Sequence, residues 1–328
     1  MYIKRLLGKS LDYIDKRFCA TVIKTEIIGN ACLAYDRKHP IFIREYYLYC
    51  VDLLRQVLAS GGIPINVIVG DYKVKFPNRQ STIRVDIQFE HTLVKSGGRD
   101  STAAVTGNIP IHGTRDCYLV RICNYDYLNS LDLIVDYSLP NISNIRASGE
   151  FASYTSKTIL IHPLLYDADF GNSNRLGHIV TLFADCNQPR RKLFLEKSLN
   201  AGLPLNNVKG IFDKSALQKL YMNTKILVNM RQTEHHDTLE ELRLLPALMC
   251  GVIIISEDAP LKELVPYSEF VIWSSYENMV DTIRSVYENY GEHYQRIFSK
   301  PGLAEVLTRM KKTNLEGVHT AVQRLRNG

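Results

Sequence analysis

Residues 226–256 read ILVNMRQTEHHDTLEELRLLPALMCGVIIIS, and the fold follows from that order. A short β-branched run, Ile226 to Asn229, gives way to a polar loop. An apolar-periodic stretch from Thr238 to Met249 then closes on Cys250-Gly251, and a second β-branched run starts at Val252. Strand, loop, helix, terminal glycine and buried strand make one unit of a parallel α/β sheet, because parallel strands need a crossover and strands buried on both faces read as continuous apolar runs. Thr238 with Glu241, and Asp237 with Glu240, each have capping-box spacing at the expected helix start.

Working outward, the same alternation continues. Downstream lie a helix at Leu261–Val265 and a strand at Phe270–Trp273. Upstream lie a strand at His178–Ala184, a helix at Arg191–Ala201 closed by Gly202, a strand near Val208–Phe212 and a helix at Lys214–Tyr221. Residues 166–177 are polar and glycine-bearing, as a linker is. Before them come a helix over Ile41–Ala59, stopped by Ser60-Gly61-Gly62, and strands at Ile65–Val69, Thr82–Phe89, Tyr118–Ile122, Leu131–Val135 and Thr158–Ile161. The first 40 or so residues have no readable period, and the long polar stretch Lys95–Asp116 is either functional or conceals a hairpin. The expected fold class is α/β, with two Rossmann-like doubly wound domains over residues 1–165 and 166–328 facing a central cleft. A last amphipathic helix after Lys300-Pro301-Gly302 is placed to cross back onto the first domain.

The composition agrees with two globular domains. Of 328 residues, 45% are hydrophobic and 23% charged, enough to bury two cores. The net charge of +6 is spread along the chain, with only short runs such as Arg190-Arg191-Lys192, which suits an anionic small ligand and argues against nucleic acid. Seven cysteines, odd in number and without a C-x-x-C, point to reduced thiols in the cytoplasm. The longest uncharged apolar stretch, Leu244 to Ile255, falls short of the roughly 20 residues that cross a bilayer.

Ligands of parallel sheets bind outside the carboxyl ends of the strands. Two loops there carry the chemistry. Asp185 to Lys192 places Asn187 and three cations, Arg190, Arg191 and Lys192, at the start of a helix, where free N–H groups already attract anions and where the cations call for an anionic partner. Met230 to Glu241 gathers Arg231, His235, Thr238, Leu239, Glu240 and Glu241. Asp167-Ala168-Asp169 is a D-x-D triplet, but it sits in the linker.

The stretch from Val208 to Val265 resembles the nucleotide-sugar-binding half of GT-B glycosyltransferases, notably family 4, at Ala247, Cys250-Gly251, Val252, Ile254, Ser256 and Glu263. Its wording is also similar to sugar transferases of large DNA viruses. The resemblance implies a metal-independent glycosyltransferase without a further cofactor. A nucleotide-diphosphate sugar would be held by Asn187, Arg190, Arg191, Lys192, Arg231, His235, Thr238, Leu239, Glu240 and Glu241. A glycan or other hydroxyl acceptor would bind the first domain, with Glu90 or His91, at the end of its strand, as the base for an inverting reaction. The retaining members carry two glutamates eight positions apart; here those positions are Thr238 and Pro246, so the anomeric outcome is not carried over. A sugar-nucleotide epimerase or phosphorylase, and a non-catalytic nucleotide- or nucleic-acid-binding protein, are the alternative readings.

Overall fold

The computed structural model describes residues 22–38, 44–89, 93–95, 109–110, 117–119, 128–147, 152–171, 173–183, 188–231, 239–299 and 301–327. Its first half opens with β1 (Ile23–Ile28), β2 (Ala31–Asp36), helix α1 (Arg44–Gly61), β3 (Asn66–Val69) and β4 (Thr82–Ile87). Three short strands follow, β5 (Leu93–Lys95), β6 (Ile109–Pro110) and β7 (Cys117–Leu119), then β8 (Leu133–Asp136), α2 (Leu139–Ala147), α3 (Ala152–Thr155) and β9 (Thr158–Leu160). The main sheet has the order β1-β2-β3-β4-β8-β9, parallel throughout except for the β1/β2 pair.

Two differences from the sequence reading have physical reasons. Residues without a readable period hold the β1/β2 hairpin, which pairs Ile28 with Ala31 across Gly29-Asn30. Edge strand β1 exposes most of its side chains and β2 buries all six of its own, so neither alternates cleanly, and the glycine-asparagine turn was the available signal. The strand expected at Tyr118–Ile122 is β7, which joins β5 and β6 in a separate antiparallel sheet of order β5-β7-β6. Part of the long polar stretch is therefore a small inserted sheet.

The second half carries β10 (Ile179–Thr181), α4 (Pro189–Asn200), β11 (Leu205–Asn207), α5 (Lys214–Asn223), β12 (Ile226–Asn229), α6 (Glu241–Met249), β13 (Ile253–Glu257), β14 (Val271–Ser274), α7 (Met279–Glu288), α8 (Tyr290–Phe298) and α9 (Gly302–Asn327). All five strands are parallel, in the order β11-β10-β12-β13-β14. This is a doubly wound sheet, and the chain reverses its direction of travel between β10 and β12. The strand expected near Val208–Phe212 falls earlier, at β11. The helix expected from Thr238 begins at Glu241, with Glu240 at the N-cap making no side-chain cap bond, so the Thr238–Glu241 capping box is not its start. The helix expected at Leu261–Val265 is a single 3-10 turn over Lys262–Leu264.

Each of the two larger sheets has its own apolar core, and α9 belongs to both. Leu303, Val306, Leu307 and Met310 pack into the second core, and Val318, Ala321 and Val322 pack into the first beneath α1. Between these patches the buried Asn314 donates through Nδ2 to Tyr49 Oη (3.0 Å) and His162 O (2.8 Å), and its Oδ1 accepts from His162 N (2.8 Å). The amide satisfies the chain where it leaves the first sheet.

Gly251 ends α6 at φ +71°, the left-handed position that a helix C-terminus favours. A methyl group there would also meet Arg175 Nη2 at 2.6 Å and Asp169 O at 3.0 Å. Buried Arg175 donates to Tyr221 O (2.6 Å) and Thr224 O (3.1 Å), tying the linker to α5. Gly251→Ala is therefore expected to lose about 2 kcal/mol or more in urea unfolding, from the backbone conformation and the displaced guanidinium together.

Candidate active site

The switch point between β10 and β12 is where a doubly wound sheet opens a crevice at its carboxyl edge. Arg190, on the first turn of α4 after β10, and Arg231, directly after β12, approach it from either side. Both meet the carboxylate of Glu257, the last residue of β13. Arg190 binds it with both guanidinium nitrogens; Arg231 binds it through Nε (2.9 Å) and Nη2 (2.7 Å), and its backbone N–H donates to Oε2 (3.1 Å). Glu257 is 1% exposed, while the two arginine side chains are 18% and 19% exposed. A carboxylate this buried is tolerated because two cations hold it. The Arg190 guanidinium also lies 4.1 Å from the ring centre of Tyr276, whose hydroxyl donates to Arg190 O (3.1 Å). Two guanidiniums thus share one carboxylate at the crevice.

The three consecutive cations do not act together. Successive helical residues point about 100° apart, so one face of α4 cannot present all three. Arg191 is 5% exposed, 4.5 Å from the ring centre of Phe183, and donates to Met230 O (3.2 Å); it ties the β10 and β12 loops together from within. Lys192 is exposed and lies 3.9 Å from Glu196 on the next turn. Arg191 and Lys192 therefore do not share the face on which Arg190 meets Glu257.

Leu239 is buried in the second core, so its side chain is not a donor contact. Glu240 stays partly exposed, 3.9 Å from Arg243. Glu241 turns inward to a second polar cluster. Its Oε2 accepts from Tyr267 Oη (3.3 Å), and it lies within reach of Ser138 from the first half. Beside Ser138 sits Asp136, the last residue of β8, whose Oδ1 accepts from Ser138 N (2.9 Å) and Asn141 Nδ2 (3.2 Å). Burial pushes the carboxyl of Asp136 up to about 7; burial, with a smaller contribution from the charge of Asp136, pushes that of Glu241 up to about 8. Each half thus buries a carboxyl group that holds its proton closer to neutral pH than a free carboxylate does.

Glu90, His91, Asn187, His235 and Thr238 lie outside the described residues. Of the remaining expected donor residues, the structure brings Arg190 and Arg231 together. Sequence reasoning missed Glu257 and Tyr276. The signal for Glu257 was an acid closing a β-branched, mostly apolar strand at the ligand-binding edge, where burial demands cationic partners.

No family model matches this chain. An uncharacterized protein of Acanthamoeba polyphaga mimivirus is 26% identical over 187 residues, covering 55% of this chain and 65% of that protein, so the likeness spans under two thirds of its length. Among solved structures, the chain is similar to the E. coli trehalose-6-phosphate structure bound with UDP-2-fluoro glucose (11% identity, 93% of this chain and 88% of that one, TM-score 0.42). It is also similar to the calicheamicin glycosyltransferase (12% identity, 87% and 83% coverage, TM-score 0.34) and to the glycotransferase of kitacinnamycin (10% identity, 88% and 83% coverage, TM-score 0.34).

Proposed function

We propose that the protein is a glycosyltransferase that takes a sugar from a nucleotide-diphosphate donor bound by the second half and passes it to a glycan or other hydroxyl acceptor bound by the first. The observation that carries this reading is the Arg190–Glu257–Arg231 cluster at the switch point of the second sheet, on the first turn of α4. When the glycosidic bond to the donor breaks, the diphosphate gains negative charge. Guanidiniums already fixed in place stabilise that charge without reorganising, which is where electrostatic catalysis is strongest. Arg190 is the second residue of α4, at the end of the helix whose dipole favours an anion. The resemblance of Val208–Val265 to nucleotide-sugar-binding halves supports the same assignment.

On the acceptor side, Asp136 is committed to the turn that starts α2, accepting from Ser138 N and Asn141 Nδ2. The base therefore stays assigned to Glu90 or His91, three and four residues beyond Ile87, the last residue of β4. The domain division at 165/166 and the roles of the halves belong to the same proposal.

A thermal-shift screen with UDP, GDP, dTDP and their sugars tests it, because a ligand that binds only the folded state raises the unfolding temperature. One nucleoside diphosphate is expected to stabilise the protein, and its sugar to be turned over with an acceptor. Arg231→Ala and Arg190→Ala are expected to weaken that nucleotide at least tenfold and Lys192→Ala to leave it unchanged. Equal loss in all three variants, or no stabilisation by any nucleotide, would overturn the reading.

A further inference from the structure

The connection between β3 and β4 breaks a rule of parallel sheets. Such a crossover is ordinarily a helix that covers one face of the sheet. Here residues 70–81 cross without one. Val67 and Val69 of β3 and Ile83, Val85 and Ile87 of β4 belong to the core under α1. By the two-residue alternation of strands, Ile68, Thr82 and Arg84 therefore point to the opposite face. The irregular crossover leaves a cavity of about 500 Å³ over that face, lined by Ile68, Lys73, Lys75, Thr82, Arg84 and Asp132, with Val74 and Ser130 completing its wall.

The chemistry of this cavity is that of an anion site. Three cations and two hydroxyls border it, against one carboxylate. That carboxylate is engaged: Asp132 Oδ2 accepts from the backbone N–H of Arg84 at 2.7 Å. Outside the lining, Asp71 approaches Arg84 Nη1 only at 3.9 Å and is itself 75% exposed, so it screens the guanidinium weakly. Lys73 and Lys75, which line the cavity, are exposed and alternate with the half-buried Tyr72, Val74 and Phe76, so both ammonium groups stay in contact with solvent. Single-sign charges brought together at a concave surface raise the local concentration of the opposite ion.

The site is separate from the crevice proposed for the donor. Asp132 immediately precedes β8, and Asp136 ends it at the carboxyl edge, so about 13 Å of strand lies between the cavity and that edge at 3.3 Å per residue. Thr82 is the first residue of β4, which likewise puts the cavity at the amino end of the sheet. Neither Arg190 nor Arg231 borders it.

We infer that this cavity binds a phosphate group, carried by a small molecule or by the headgroup of a phospholipid, with Lys73, Lys75 and Arg84 as its cationic contacts. Its volume lies within the range of small-molecule pockets and exceeds that of a bare ion, so the phosphate is expected to bring an attached polar body.

The test uses the full chain carrying Arg231→Ala, which removes the other anion-binding cluster, with and without Lys73→Glu and Lys75→Glu. Inorganic pyrophosphate is titrated by calorimetry, and phosphatidylcholine vesicles with and without phosphatidylinositol 4-phosphate are used in co-sedimentation. The single variant is expected to bind pyrophosphate, the inositol-lipid vesicles or both, and the charge-reversed variant to bind at least tenfold more weakly. Pyrophosphate binding alone identifies a soluble ligand; selective vesicle binding identifies a headgroup. Lys73→Ala with Lys75→Ala repeats the measurement with a milder change at the same exposed positions. Binding that is equal with and without the lysines, or absent from the Arg231→Ala protein in both assays, would overturn the inference.

Discussion

Glu257→Gln is expected to produce two opposite effects that, taken together, identify the ligand of the crevice as an anion. The first is loss of stability. The carboxylate is almost fully buried and holds two guanidiniums and a backbone N–H; an amide of the same shape leaves both cations facing each other. Removing one partner of a buried ion pair costs about 3–5 kcal/mol. Neither arginine is fully enclosed, so the lower end of that range applies. The second effect is a gain. The charge of the cluster rises by one, so a diphosphate at the crevice is attracted more strongly by the two guanidiniums. A nucleoside diphosphate should therefore raise the unfolding temperature of Glu257→Gln by more than it raises that of the unchanged protein. Turnover should nevertheless fall about 100-fold, because the guanidiniums no longer wait in one arrangement for the charge that develops on the leaving group. An unfolding temperature equal to that of the unchanged protein would mean that the carboxylate does not hold the cluster. A smaller nucleotide shift in the variant would mean that the ligand is not recognised through these two cations.

How much of this was legible in the sequence depended on how local the cause was. Strand β12 falls on the expected Ile226–Asn229, because a short β-branched run between a helix and a polar loop admits no other register. Helices α1, α4 and α5 fall within a few residues of their expected spans, since apolar spacing and a closing glycine or polar loop suffice to place them. Arg190 and Arg231 were legible as candidates because both follow strands at the ligand-binding edge. Their meeting on Glu257 was not, since it joins residues 67 and 26 positions apart through the order of the strands. Arg191 and Lys192 show the converse. As text they are equivalent to Arg190, and only the rotation of the helix separates a crevice residue from a buried tie and a solvated lysine. Glu241 was read as a cap or a donor contact because its position in sequence suits either. Its burial against Ser138 and Tyr267 follows from packing the two halves together, which no local pattern encodes.

That buried contact yields the second large effect, a stability that falls as pH rises through neutrality. Asp136 and Glu241 ionise near 4 in an unfolded chain, and burial raises them to about 7 and about 8 in the folded one. Between those limits the folded state holds protons that the unfolded state has released. Their contribution is complete below about pH 4 and is lost as pH climbs through 7 and 8. Buried His162 works in the opposite sense. Desolvation lowers it to about 4, so it penalises the folded state only when pH falls below its ordinary value of 6.5. Above pH 8 the thiols of Cys50 and Cys250, both raised by burial, add a fall of their own. Among the described residues, the interval from pH 6.5 to 8 therefore isolates these two carboxyl groups. Each proton held only by the folded state changes stability by about 1.4 kcal/mol per pH unit, and roughly one proton on average across this interval gives a fall of about 2 kcal/mol. Urea unfolding at pH 6.5 and pH 8 measures it. Glu241→Gln and Asp136→Asn should each flatten the dependence, and the double variant should abolish it, whatever either substitution does to stability at a single pH. Because Ser138 and Asp136 lie on the first half and Glu241 and Tyr267 on the second, the same protons bear on how the two sheets hold together. A pH slope unchanged in the double variant would place the titrating groups elsewhere and remove the carboxyl pair as the source.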